Sequence, residues 1–200
     1  PSLSNTFQMG EQTNDIAQLM ARLHEVSGAE YARLVEQIAR RGEFHPLSDE
    51  TDIFTTGWQQ HEDFANLMAA ARKAVEHGYR VFILPNPKGI RSADLILEKK
   101  SVYKLYDLKI IQGKASAGSR LLESIGQANR VLLNMATDYS ARILASDIKL
   151  YFETNPKAIE ILIFKGKKVI VVSRRLSTNH CCLLKSPEMP IHKGLGVSGF

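Results

Sequence analysis

Three charged residues, Asp94, Asp107 and Lys109, have the types and the spacing that metal-assisted chemistry requires. Asp107 and Lys109 are two residues apart in an apolar run, and an extended strand turns every second side chain to the same face. A turn at residues 98–101 predicts a hairpin that brings Asp94 beside Asp107. Converging carboxylates repel each other and bind a hard cation such as Mg²⁺ or Mn²⁺, while a nearby lysine orients water or neutralises a phosphate. Together the three residues predict hydrolysis of a phosphodiester bond.

An Asp-x-Lys pair is weak evidence alone, because on an edge strand it is usually a solvent-exposed ion pair. Here apolar residues occupy both faces of the strand around the pair, namely Leu105, Tyr106, Leu108, Ile110 and Ile111. A strand that is apolar on both faces is central and buried, and charged residues are rarely placed there without a function. The surroundings therefore favour the functional interpretation.

The hydrophobic periodicity predicts an α/β fold, in which a mixed central β-sheet is flanked by helices. Helices are predicted at residues 64–75, 120–129 and 141–152, and Gly78 ends the first of them. Strands are predicted at residues 79–84, 93–97, 104–111 and 130–135, with a final hairpin at 160–164 and 168–173. The fourth strand is apolar throughout its centre, which is typical of a buried parallel position.

The N-terminal part of the chain has a different pattern. Helical spacing of apolar residues at 16–23 and 31–38 predicts two short amphipathic helices. The segment Gly42–Gly57 contains Pro46 and many small polar residues, and it predicts a long loop or linker. We therefore divide the chain into an N-terminal helical segment and linker, a core, and a C-terminal tail, at residues 1–57, 58–175 and 176–200.

Composition sets wide limits on the partners. The 200-residue chain has 26 Lys and Arg against 21 Asp and Glu, a formal net charge of +5. This mild basic excess is compatible with a nucleic-acid partner but does not require one. No stretch approaches the ~18–20 apolar residues of a membrane span, so no span is expected. The two cysteines, Cys181 and Cys182, are adjacent and form no disulfide framework, which favours a reducing compartment.

Four short segments also carry a family resemblance. They are His77-Gly78-Tyr79-Arg80-Val81, Pro85-Asn86-Pro87-Lys88-Gly89, Ser92-Ala93-Asp94 and Gly126-Gln127-Ala128-Asn129-Arg130-Val131-Leu132-Leu133-Asn134. With Asp107-Leu108-Lys109 they resemble the PD-(D/E)XK nuclease superfamily over about residues 60–173, and in particular the C-terminal nuclease domains of contact-dependent growth inhibition toxins. Ala93 stands where the superfamily's name has proline. The resemblance implies a restriction-endonuclease-like core.

The resemblance also implies a role for each residue of the site. Asp94 and Asp107 would hold a divalent metal, Mg²⁺ first and Mn²⁺ or Zn²⁺ as alternatives. Lys109 would act on the water or on the scissile phosphate. Gln127 would lie near the site at the inner end of its helix; alternatively, its amide caps or crosses the joint between helix and sheet. An acidic metal ligand on the first core helix is also implied, and its candidates are Glu62, Asp63 and Asn66.

Basic and hydroxyl residues flank the predicted site in the sequence and are candidates for contact with substrate phosphates. They are Lys88, Arg91, Lys114, Ser119 and Arg120. Ser119 is also a candidate helix N-cap. The alternative is that residues 113–118 are only a flexible connection leading to a capped helix.

By this resemblance, the chain would be a metal-dependent endonuclease acting on transfer RNA or DNA. It would be the nuclease part of a larger secreted toxin, delivered from another cell to act in the bacterial cytoplasm, and a cognate immunity protein would block it. One alternative is a catalytically inactive nucleic-acid-binding or structural module of the same fold from a mobile element. Another is a metal-free ribonuclease that uses lysine with His77 or His180 as the base. Nothing in the sequence decides between RNA and DNA.

Overall fold

The computed structural model describes residues 33, 35, 44–56, 64–84, 92–113 and 116–174. Within them, eight strands form one mixed sheet whose spatial order is the chain order, and three helices pack on its faces. The elements are β1 (His45–Leu47), β2 (Glu50–Thr55), α1 (Phe64–Glu76), β3 (Arg80–Ile83), β4 (Leu95–Lys99), β5 (Val102–Ile111), α2 (Ala117–Glu123), β6 (Arg130–Met135), α3 (Ala141–Thr154), β7 (Glu160–Lys165) and β8 (Lys168–Ser173). No described helix is long and apolar enough to cross a membrane.

β5 is the longest of the described strands and changes its partner halfway along. Its first half pairs antiparallel with β4, ending at Leu95 opposite Tyr106. Its second half pairs parallel with β6, beginning at Asp107 opposite Val131. β5 therefore joins an N-terminal half-sheet, β1–β4, to a C-terminal half-sheet, β6–β8. Asp107 is the first residue beyond the change of partner.

A tight turn between β4 and β5 sets the register of this junction. Lys100 and Ser101 have φ angles of 54° and 62°, as the two central residues of a short hairpin turn require. The backbone N–H of Ser101 donates to Glu98 Oε1 at 2.6 Å, which stabilises the turn. Continued one position beyond the first residue of β4, the same register places Asp94 opposite Asp107.

α1 covers one face of the sheet, here called the α1 face. Its buried residues recur at helical spacing and are Leu67, Met68, Ala70, Ala71 and Ala74. They form one apolar cluster with side chains from β2 to β7, among them Tyr106 and Leu162. Burial of this amphipathic stripe is what holds α1 against both half-sheets.

The opposite face, here called the site face, carries two separate apolar clusters. One surrounds Phe82 in the N-terminal half-sheet. The other joins α2 and α3 to β5, β6 and β7, and it includes Val131 and Leu133. Asp107 and Lys109 lie opposite these last two residues in the β5–β6 register, so they project from the site face. The two charged residues thus lie where the half-sheets meet.

The predicted fold class, a mixed sheet flanked by helices, is confirmed. The predicted loop at Gly42–Gly57 is wrong over β1 and β2, which pair antiparallel at one edge of the sheet. Within β2 only Ile53 and Thr55 are buried, so its polar composition resembles that of a linker. The predicted N-terminal helices lie outside the described residues except for Arg33 and Val35, which are helical, and the tail at 176–200 lies outside them too.

α2 begins and ends earlier than the sequence pattern predicts. It spans Ala117–Glu123 instead of residues 120–129, and residues 124–127 form a turn. Gly126 has a φ of 89°, a value that a right-handed helix does not contain. Ser116 is the N-cap, since its hydroxyl accepts from the Ser119 N–H at 3.5 Å. The predicted N-cap at Ser119 is therefore wrong by one turn.

Candidate active site

The backbone of Asp94 is fixed from both neighbouring strands. Its C=O accepts from the Leu84 N–H at 2.9 Å, and its N–H donates to the Tyr106 C=O at 3.1 Å. Its side chain continues the pairing, because Asp94 Oδ2 accepts from the Leu108 N–H at 2.7 Å. Just beyond the end of β4, the Asp94 carboxylate therefore accepts the hydrogen bond that a backbone C=O of a neighbouring strand would otherwise accept from β5.

Asp107 is 0% exposed. Lys109 Nζ donates to Asp107 Oδ1 at 3.0 Å and lies 2.9 Å from Oδ2. The contact with Oδ2 is within ion-pair distance but lacks hydrogen-bond geometry, so this oxygen has no hydrogen-bond donor among the described residues. The Lys109 side chain is 14% exposed, so the pair is mostly shielded from water. The two residues share a face, as strand alternation predicts.

The carboxyl of Asp107 does not ionise as an ordinary aspartate does. Its pKa is raised from 3.8 to about 8, first by burial, which removes hydration from the charged form, and then by the nearby charge of Asp94. The Lys109 ammonium and its hydrogen bond lower the pKa but do not cancel the increase. An additional positive charge beside the two carboxylates would favour the ionised form.

The donor set fits a hard divalent cation. Asp107 Oδ2 is a buried oxygen without a donor, and Asp94 brings a second carboxylate to the same level of the sheet. In the part of the chain that the structure describes, no group of three His, Cys, Asp or Glu residues could hold a metal. Mg²⁺ is commonly held by one or two carboxylates, with water and substrate phosphates as its other ligands. The pair therefore suits Mg²⁺ or Mn²⁺ better than Zn²⁺, which prefers nitrogen and sulfur.

The helix α1 was expected to supply a further acidic ligand. It packs on the face of the sheet opposite Asp94 and Asp107, and Glu62 and Asp63 lie outside the described residues, so the acidic ligand from this helix stays a prediction. The ring of His77 packs against Phe164 on the α1 face, with 5.3 Å between the ring centroids. The sheet thus separates His77 from Lys109. His180, the other predicted base, lies outside the described residues.

The side chain of Gln127 is hydrogen-bonded to the C-terminal end of α2. Its side-chain Nε2 donates to the Glu123 C=O at 2.9 Å, which caps the last residue of the helix. No hydrogen bond joins it to Asp94 or Asp107 among the described residues. This is the capping alternative that the sequence left open for Gln127, and its part in the chemistry stays a prediction.

The predicted phosphate contacts are only partly within the described residues. Ser119 and Arg120 are exposed on α2. The Ser119 hydroxyl donates to the Ser116 C=O at 3.1 Å, and Arg120 Nη1 donates to Glu123 Oε2 at 2.9 Å. Both side chains are therefore available to a ligand only by exchanging these local bonds. Lys88, Arg91 and Lys114 lie outside the described residues, and their contacts stay predictions.

The sequence pattern does not indicate which side chain accepts a hydrogen bond from the first backbone N–H of α2. Tyr139 Oη accepts from the Ala117 N–H at 3.2 Å and donates to Asp147 Oδ2 at 2.8 Å. A Cβ atom on Gly118 would come within 2.9 Å of Asp147 Oδ1, so any larger residue there would force the Asp147 carboxylate or α2 to move. The run of small residues before α2 was the available signal, and its interpretation as a phosphate-contacting loop overlooked Asp147.

A second overlooked residue is Ser92, two positions before Asp94. It is 4% exposed, and its hydroxyl has no hydrogen-bond partner among the described residues. A buried hydroxyl without a partner is uncommon in native proteins. Nothing in the sequence distinguishes Ser92 from an ordinary loop serine.

Comparisons with known proteins add little to this geometry. No family model matches the sequence, and no curated protein matches it. Among solved structures, a chain of the CdiA-CT/CdiI toxin and immunity complex from Burkholderia pseudomallei is similar, with a TM-score of 0.39 and 14% sequence identity. The similarity covers 58% of this chain and 91% of that chain. At so low a TM-score it carries no argument about activity, and the resemblance to the PD-(D/E)XK superfamily stays a prediction from the motifs.

Proposed function

We propose that this chain is a divalent-metal-dependent nuclease in which Asp94 and Asp107 hold the cation. The observation that carries the proposal is the state of Asp107, which is wholly buried, has an oxygen without a hydrogen-bond donor and stands beside a second carboxylate. Burial and the neighbouring Asp94 carboxylate make the ionised form of Asp107 costly in the absence of a cation. A bound cation would stabilise both carboxylates, and strongly perturbed pKa values of this kind are concentrated at functional sites.

The chain's own residues have separate tasks in this proposal. Asp107 must give up its proton to bind a cation, and the raised pKa makes that loss dependent on the cation's charge. A bound Mg²⁺ or Mn²⁺ supplies Lewis acidity to the phosphate and lowers the pKa of a coordinated water. Lys109 uses one N–H on Asp107 Oδ1, which leaves two for a water nucleophile or a phosphate oxygen. Charge that builds on the phosphate is neutralised there.

The substrate we propose is nucleic acid, either transfer RNA or DNA. The net charge of +5 supports it, as do Lys88, Arg91 and Lys114, which follow or precede the site-bearing strands in sequence. The role as an interbacterial toxin, delivered in a larger secreted protein to the bacterial cytoplasm and blocked by a cognate immunity protein, rests on the motif resemblance alone.

One observation favours the alternative of an inactive module with the same fold. Lys109 Nζ lies within 3.0 Å of both Asp107 oxygens, so the pair neutralises itself without any metal. In that case the chain binds nucleic acid or a protein partner and cleaves nothing. Cleavage and binding must therefore be measured separately.

The decisive experiment incubates the purified chain with plasmid DNA, single-stranded DNA and total transfer RNA. Each is tested with Mg²⁺, with Mn²⁺ and with EDTA, and binding is followed by gel shift. We expect cleavage of at least one substrate in the presence of metal, and its loss in Asp107→Asn and in EDTA. Asp138→Asn is the matched control, because Asp138 is fully exposed and its ion pair among the described residues is with Lys165.

Cleavage that survives EDTA would contradict the metal proposal. Binding without cleavage by the wild-type chain, under every metal condition, would instead support the inactive module. The three substrates also decide between RNA and DNA.

A further inference from the structure

A second polar group lies behind the site, on the α1 face. Tyr106 Oη donates a hydrogen bond to Glu160 Oε1, and Lys104 Nζ donates to Glu160 Oε2 at 2.8 Å. Tyr106 and Lys104 belong to β5 and Glu160 to β7, so these contacts cross over β6. The three residues are called the cross-sheet bridge below.

The register explains how the bridge is formed. Arg130 of β6 lies opposite Glu160 of β7. Arg130 also lies beside Tyr106 of β5, because these two residues precede the paired residues Val131 and Asp107 by one position each. Tyr106, Arg130 and Glu160 therefore form a row across three parallel strands. The length of the phenol side chain carries the hydroxyl past the middle strand to the carboxylate.

The Tyr106–Glu160 part of the bridge is buried, whereas the Lys104 side chain is 37% exposed. Tyr106 is 1% exposed and Glu160 is 8% exposed. Burial, and then the hydrogen bond to Glu160, raise the pKa of the Tyr106 phenol, so that it remains a donor at any physiological pH. Lys104 and the charge of Arg130 offset the carboxylate. A hydrogen bond to a charged group in a buried setting stabilises more than one in water.

The bridge lies directly behind the candidate active site. Tyr106 is the last residue of β5 that pairs with β4, and Asp107 is the first that pairs with β6. The two residues are adjacent and project from opposite faces. On the site face, the Asp94 carboxylate holds the Leu108 N–H. On the α1 face, Glu160 holds Tyr106. Asp107 thus lies between two anchors, one on each face of the sheet.

We propose that Tyr106 and Glu160 are positioning residues that fix the Asp107 carboxylate opposite Asp94. This inference rests on the proposed metal-dependent function. Without the bridge, β5 is held less firmly at the point where its partner changes, and its twist there is free to relax. The Asp107 carboxylate then moves relative to Asp94, and both cation binding and cleavage weaken, although neither residue touches the substrate. Displacements of about 1 Å at a reacting centre cost as much as 10²-fold in rate.

The test compares two buried tyrosines in the full chain. Tyr106→Phe removes only the hydroxyl that reaches Glu160. Tyr151→Phe removes the hydroxyl of an equally buried tyrosine, whose hydrogen-bond partners, Ser124 Oγ at 3.5 Å and Asn155 Nδ2 at 3.3 Å, lie outside the strands. Isothermal titration with Mn²⁺ gives the metal affinity, cleavage gives kcat, and urea unfolding in EDTA gives the stability of each variant.

We expect Tyr106→Phe to weaken Mn²⁺ binding and to lower kcat, each by about tenfold or more, the usual range for residues that orient metal ligands. Tyr151→Phe should lose less stability, because its hydroxyl has only neutral and longer contacts, and it should keep the wild-type affinity and kcat. Glu160→Gln keeps an acceptor for Tyr106 but removes the ion pair with Lys104, so its metal affinity and kcat should exceed those of Glu160→Leu, which should behave like Tyr106→Phe. This rescue separates positioning from a general loss of stability.

Wild-type Mn²⁺ affinity and kcat in Tyr106→Phe would overturn the inference, as would equal losses in Tyr106→Phe and Tyr151→Phe. Should Glu160→Leu fail to fold, the two tyrosine variants and Glu160→Gln still decide the matter. A wild-type chain that neither binds Mn²⁺ nor cleaves would overturn the proposed function itself, so the wild-type titration tells the two failures apart.

Discussion

The carboxylate of Asp94 accepts a hydrogen bond from the backbone N–H of Leu108 at 2.7 Å. The side chain thereby serves as one rung of the ladder between β4 and β5, outside the residues that β4 itself supplies. A residue proposed to bind a cation is therefore also part of the strand pairing. Strand pairing and cation binding by Asp94 can be separated with Asp94→Asn, because the amide keeps the hydrogen-bond acceptor but loses the negative charge.

Asp94→Ala should destabilise the fold by about 1–3 kcal/mol, because it leaves the Leu108 N–H without a partner. Asp94→Asn should cost less, since its Oδ1 can still accept that hydrogen bond. Both should abolish metal-dependent cleavage. Urea unfolding in EDTA measures the free energy of unfolding of each variant. Equal stabilities for the two variants would show that the Leu108 bond contributes little to the fold.

The pKa of Asp107 predicts a pH dependence of stability. The folded value of about 8 lies above the ordinary value of 3.8, so the folded chain holds this proton more tightly than the unfolded chain does. The contribution of this carboxyl is therefore most favourable below pH 3.8 and is lost as the pH rises toward about 8. In EDTA, Asp107→Asn should gain stability relative to the wild type over this window.

The measurement is the difference in the free energy of unfolding between the two chains, from urea titrations at a series of pH values. Asp138→Asn, at an exposed surface, corrects for the general effect of removing one negative charge. A difference that stays flat across the window would mean that Asp107 is ionised in the folded chain without a metal.

Lys109→Met should separate cleavage from metal binding. The ammonium provides donors for charge that develops on the phosphate, and loss of such a donor costs roughly 10²–10³-fold in kcat. The same ammonium contacts both oxygens of Asp107 and repels a cation there. Mn²⁺ affinity, measured by calorimetry, should therefore stay the same or increase. A parallel loss of Mn²⁺ affinity would mean that Lys109 acts by arranging the carboxylates.

Gly118→Ala should destabilise the packing of α2 against α3. The new Cβ would lie 2.9 Å from Asp147 Oδ1, and that carboxylate is held by Tyr139. The expected cost is about 1–3 kcal/mol, as for other overpacked sites. In the double variant Gly118→Ala/Asp147→Ala the clash is absent, so the two losses should be less than additive in thermal unfolding. Strict additivity would place the cause in the backbone of α2.

Local patterns predicted the parts of the site that depend on nearby residues. Asp107 and Lys109 share a face because strands alternate, and Asp94 reaches them because a short turn closes the β4–β5 hairpin. The ion pair between Lys109 and Asp107 was not predicted, since alternation gives a shared face but not a distance. Gln127 was assigned to a helix that ends at Glu123, because the pattern of apolar residues continues beyond the last helical turn.

Contacts between distant segments left no local signal. Glu160 lies 54 residues from Tyr106 and looks like the polar start of a buried strand. Its role depends on the order of β5, β6 and β7, which periodicity alone does not determine. β1 and β2 were missed for a related reason: at the edge of a sheet, half-exposed strands bury too few side chains to show a clear alternation.

The strands lie side by side in the same order as in the chain. During synthesis each new strand therefore leaves the ribosome after the neighbour with which it pairs. The Asp94–Leu108 contact spans 14 residues and can close as soon as the hairpin has emerged. The Tyr106–Glu160 contact spans 54 residues and must wait for β7. A nascent or truncated chain that ends after β6 therefore contains all three charged residues of the site but lacks the cross-sheet bridge behind them.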